Sequence, residues 1–106
     1  MDLMRIREPA DITAALAASI ENGGLLLDET QLGENFFDLR TGFAAEMLQR
    51  FTSYRAKLAV VVRDAGAYGS RFGELMYEHR THGCVRFFDT PQHARQWLTY
   101  NPVTRC

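Results

Sequence analysis

The run KLAVVV, residues 57–62, constrains the fold more than any other part of the chain. From Leu58 onward it is apolar at every position and it ends in three valines, so neither face of the strand can meet water. Such a strand belongs in the centre of a sheet that is covered on both sides. Two more short apolar runs read the same way, LLLDE at 25–29 and CVRFF at 84–88. A fourth short strand fits in MDLMRI at the start.

The stretches between these runs carry a helical rhythm. Glu8-Pro9 followed by ADITAALAASIEN predicts a helix: proline suits the first turn, Asp11 suits the positive helix end, and Ile12, Leu16 and Ile20 recur at i+4. Gly23 and Gly24 stop it. A second helix is predicted from about Asp38 to Tyr54, with Leu39, Phe43, Met47, Leu48, Phe51 and Tyr54 facing the core. A third begins at Ser70, placed to cap it, with Phe72, Leu75, Met76 and His79 at i, i+3, i+4, i+7. Thr90-Pro91 then gives a cap and first-turn proline for a fourth, whose inner face is Ala94, Trp97 and Leu98. Strands alternating with helices imply βαβ units, hence an α/β fold with a mainly parallel sheet of about four strands and four helices. The 106 residues suit one domain.

Composition removes several function classes. With 12 Lys plus Arg against 13 Asp plus Glu, no global field draws the chain to nucleic acid or an anionic membrane. No apolar run approaches a bilayer span, and the N-terminus lacks a signal-peptide core, so a cytoplasmic protein is expected. Cys84 and Cys106 lack histidines at ligand spacing, and Cys84 is expected to be a reduced, buried thiol. His79 and His82 lie three apart with no third ligand near, so neither a metal nor any other cofactor is expected. No nucleophile elbow, phosphate loop or paired carboxylate is present to carry catalysis.

Three stretches carry a family likeness: FFDLRTGFAAEMLQRFTSYRAKLAVV, YGSRFGELMYE and VRFFDTPQHARQWL. Together they resemble the bacterial domain of unknown function 4180 (DUF 4180), whose members share an FFDL-[KR]-TG-x-A-x-E helix start, over roughly residues 12–98. That family commonly opens with a further pair of strands, whereas MDLMRI has room for one. The resemblance thus implies an exposed sheet edge and a possible homodimer. Ala45 stands where a second glycine is common. At the level of fold the chain is also similar to the sulfate transporter and anti-sigma antagonist (STAS) domain, in which Phe37, Asp38, Thr41 and Gly42 look like the phosphorylated helix start. Two residues, Leu39 and Arg40, separate Asp38 from Thr41 here, where that pattern has one.

The candidate binding residues are accordingly Asp38, Arg40, Thr41 and Gly42, with Ser70 on the neighbouring loop. A helix start offers unsatisfied N–H groups and a positive dipole end to an anion or a partner's carboxylate. These residues and the family likeness point to a non-enzymatic regulatory or protein-interaction module. A second class stays open: a small-molecule or anion binder, even an enzyme, with a pocket beyond the strand carboxyl ends, where Asp28, Glu29, Asp64 and Asp89 fall.

Overall fold

The computed structural model describes residues 4–100, the side chain of Tyr100 excepted. Three strands, β1 (Leu25–Asp28), β2 (Leu58–Val61) and β3 (Val85–Phe88), form one parallel sheet in the order β1-β2-β3. The register sets Leu27 beside Val60 and Val60 beside Phe87. All four residues of β2 are buried, as its uninterrupted apolar sequence requires. Where a fourth strand was expected there is a single parallel bridge, Ile6 to Leu32, outside the sheet. Residues 1–3 of that expected strand lie outside the described residues.

Among the described residues there are five α-helices, α1 (Pro9–Asn22), α2 (Glu34–Phe37), α3 (Phe43–Ser53), α4 (Ser70–Glu78) and α5 (Pro91–Tyr100). They divide unequally between the two sheet faces. Ile12, Leu16, Phe36, Met47, Phe51, Phe72 and Met76 pack with Leu27, Leu58, Val60 and Val85 in the larger core, so α1 to α4 share one face. On the other face α5 is the one helix among the described residues, with Ala94 and Trp97 against Ala59 and Val61. Strand alternation explains the division, because successive side chains of β2 point to opposite faces.

α1 starts as expected. The Asp11 carboxylate accepts the Glu8 N–H at 3.0 Å and the Arg7 N–H at 2.9 Å, and Gly23 ends the helix at a φ of 76°. Its buried stripe runs through Ile12, Ala15, Leu16 and Ser19, while Ile20 is 57% exposed. Steps of four residues drift around a 3.6-residue turn, so the third member of an i+4 series leaves the core side. The buried Ser19 hydroxyl donates to the Lys57 carbonyl at 2.7 Å, fastening α1 to the start of β2.

The predicted helix from Asp38 to Tyr54 is shorter and preceded by two separate turns. α2 stops at Phe37, a 3-10 turn covers Leu39–Thr41, and α3 begins only at Phe43. At its far end Tyr54 is 63% exposed, not core-facing: α3 has ended at Ser53 and Arg55 takes a φ of 54°. Arg50 turns to Thr13 of α1, donating at 2.9 Å. Cys84 is buried before β3, as expected. No described helix is long and apolar enough to cross a membrane.

Candidate functional site

The turns before α3 are built by three of the residues singled out from sequence. Asp38 leaves the helical region at φ −97° and ψ 99°, and its carboxylate accepts the Arg40 N–H at 3.1 Å. The Thr41 hydroxyl lies 2.7 Å from the Asn35 carbonyl and 2.8 Å from that of Asp38, and accepts the Phe43 N–H at 3.2 Å. Gly42 takes a φ of 76°, the left-handed conformation that a side chain disfavours. An anion approaching the start of α3 therefore finds its first amide already taken by Thr41.

Arg40 is different. Its Nε and Nη2 each donate to Asp38 at 3.0 Å, a two-pronged pair, yet the Arg40 side chain is 90% exposed. The hydrogen bond from the Arg40 side chain, followed by that from its backbone, holds the Asp38 carboxyl below the usual range. The guanidinium is thus fixed in direction while facing solvent.

Ser70 does not cap α4 as expected. Gly69, at a φ of 91°, occupies the cap position with no side-chain bond, and Ser70 is the first helical residue. Its surroundings are nevertheless informative: Leu39, Ser70, Arg71, Glu74, Leu75 and Glu78 line one open groove of about 410 Å³. The structure thus brings Ser70 to Leu39, the residue between Asp38 and Arg40.

A second cluster forms at the carboxyl ends of β1 and β2. Arg63 Nη1 donates to Asp28 at 2.5 Å, and the Arg63 N–H donates to Glu29 Oε1 at 2.9 Å. The Tyr68 hydroxyl donates to the other oxygen of Glu29. Burial, then the Glu29 bond, pushes the Tyr68 phenol up to about 12. For Asp28 burial acts against ionisation, but the bonds from Thr30 and Arg63 outweigh it and keep the carboxyl below its ordinary value. Tyr68 also closes an aromatic group with Phe37 and Phe72. Asp64 stays in its own turn, accepting the Gly66 N–H at 2.9 Å, and Asp89 pairs with His93 at 3.0 Å. The four strand-end acids are thus not one site. Arg63 and Tyr68 were missed from sequence because nothing local in RDAGAYG marks a partner thirty-odd residues upstream.

The histidine pair is a structural device. His82 Nδ1 accepts the N–H groups of both Cys84 and Val85, at 3.0 and 3.1 Å, so in the neutral ring the proton is on Nε2. A metal at Nε2 would force that proton onto Nδ1, against two donors. Among the described residues no group of three His, Cys, Asp or Glu is placed to hold a metal.

The observed arrangement is an α/β protein built on a three-stranded parallel sheet, with helices on both faces. Over residues 2–98 the chain matches the family described as a domain of unknown function (DUF4180), and it belongs to that family. No curated protein and no solved structure matches it.

Proposed function

We propose that the chain is a non-enzymatic regulatory module that acts by binding another protein along the groove between the Leu39 turn and α4. The observation that carries this reading is Arg40: a 90% exposed guanidinium held in direction by Asp38, and next in the chain to Leu39, which lines a groove with Leu75 and the charged Arg71, Glu74 and Glu78. A cation held in place loses less entropy when a partner carboxylate meets it than a freely swinging one. Open grooves of this shape suit an extended peptide segment better than a buried metabolite. Residues Asp38, Thr41 and Gly42 then serve the site by shaping its turn.

The test is a cross-linking capture from the native host with wild type, Arg40→Glu with Arg71→Glu, and Arg95→Glu on the exposed side of α5. The reading expects one partner that the wild type and Arg95→Glu both retain and the double variant loses. A partner kept by all three, or lost by all three, rejects this groove.

The edge of β3 supports self-association as a second reading. Among the described residues β3 pairs only with β2, and a one-sided strand can accept the same strand of a second copy. Sedimentation at twice the 12.1 kDa chain mass, abolished by a proline at Phe87, is the expected result.

A further inference from the structure

The connections leaving β2 and β3 part company. After β2 the chain turns to α4, whose Phe72 and Met76 lie in the larger core; after β3 it turns to α5 on the opposite face. In parallel sheets such a divergence opens a crevice beyond the strand carboxyl ends, the position where open α/β sheets take small ligands. This chain has that crevice. Its volume is about 310 Å³, near the lower end of ligand pockets. The Val62 N–H donates to the Phe88 carbonyl at 2.8 Å and joins the two strands where it opens. Val62, Met76 and Phe87 supply apolar lining, Tyr77 is 64% exposed, and Arg63 and Asp89 are the charged lining residues.

The two charges are not equally available. Arg63 is already matched, with Asp28 at 2.5 Å and Glu29 at 3.7 Å from its Nη1. The nearby Arg80 is spent on Tyr77, its guanidinium 3.7 Å from the ring centroid and its Nη1 bonded to the Tyr77 carbonyl. Asp89 has the His93 imidazole at 3.0 Å, and its side chain is 71% exposed. The His93 hydrogen bond holds the Asp89 carboxyl below its ordinary value, so it is ionised at neutral pH. Beside a neutral His93 imidazole, Asp89 then carries a negative charge with no cation paired to it among the described residues.

We infer that the crevice between β2, β3 and α4 binds a small hydrophobic amine, its apolar body against Met76 and Phe87 and its ammonium group at Asp89. A carboxylate would have to displace Asp28 or Glu29 from Arg63, and would meet Asp89 besides. This inference does not depend on the groove at the Leu39 turn, which is lined by Ser70, Arg71, Glu74, Leu75 and Glu78 of α4 and shares no lining residue with the crevice.

Three single-ring probes separate the alternatives in amide NMR titrations of the full chain: phenethylamine, 3-phenylpropionate and phenethyl alcohol. Phenethylamine is expected to bind most tightly, with shifts centred on Val62, Tyr77 and Phe88. At a carboxylate this exposed, a preference of about two- to fivefold over the alcohol is expected. Asp89→Asn, a change at an exposed position, should erase that preference, and Tyr77→Ala should weaken phenethylamine and the alcohol alike. Equal or tighter binding of the carboxylate overturns the proposal. So do shifts centred away from the crevice, or no saturable shift from any probe at millimolar concentration.

Discussion

The ring of Tyr68 lies flat on that of Phe37, with centroids 3.8 Å apart and 11° between their planes. Tyr68 follows β2 and Phe37 precedes the Leu39 turn, so this one stack joins the loop after β2 to the segment after β1. The Tyr68 hydroxyl adds a bond to Glu29, at the end of β1.

Tyr68→Phe keeps the stack and removes the bond, leaving one Glu29 oxygen without its donor. A loss of about 1 kcal/mol in unfolding free energy is expected. Tyr68→Ala removes the aromatic contact too and should cost about 2–3 kcal/mol. Urea denaturation of both variants measures this; equal costs would mean that the ring contributes nothing.

The raised Tyr68 phenol also predicts an alkaline effect. The unfolded chain loses this proton near pH 10, while the fold retains it to about 12. Above about pH 10 the folded state thus holds more protons, and the Tyr68 contribution falls as pH rises towards 12. In an absorbance titration a tyrosine step should appear near pH 12, and Tyr68→Phe should remove it.

His82 acts at the acid end. Burial, then His79 and Arg86, lowers its pKa, and His79 lies at 5.0 Å between ring centroids. Below about pH 6.5 the unfolded chain takes up a proton that the folded ring refuses, so this contribution to stability is lost as pH falls through the depressed value. His82→Ala should cost about 1–2 kcal/mol at neutral pH, because the Cys84 and Val85 amides lose their acceptor, and should flatten the decline that sets in as pH falls below about 6.5. An unchanged decline in the variant would assign the acid sensitivity elsewhere.

Gly42 can be tested for conformation alone. A Cβ there would meet nothing within 4 Å, so the obstacle to a side chain is the φ of 76° and not space. Gly42→Ala should cost about 1–2 kcal/mol, and Gly42→Asn less, since asparagine tolerates the left-handed region. Denaturation midpoints that rank Gly, Asn, Ala in falling order support this; an Ala variant as stable as wild type contradicts it.

The strands were legible because Leu25, Val60 and Val85 sit in runs too apolar to be exposed, and α5 because Thr90-Pro91 announces it. The break at Asp38 and Gly42 was not. Leu39 and Phe43 keep a spacing of four whether the chain is one helix or two turns, so periodicity cannot distinguish them. What breaks the helix is the Asp38 carboxylate bonding the Arg40 amide, with Gly42 in the left-handed region. The Arg40 pair was one of several partners that spacing allowed, whereas the Tyr68 bond to Glu29 depends on tertiary approach and left no local trace.

The solitary α5 gives the order of synthesis a consequence. All three strands leave the ribosome before Trp97 does, so the sheet can form while Leu26, Ala59, Val61 and Phe88 still lack their cover. A nascent chain paused at that point would show chaperones a bare apolar surface on one side and a finished core on the other. Docking of α5 is then the event that turns a half-covered sheet into a particle with little to offer them.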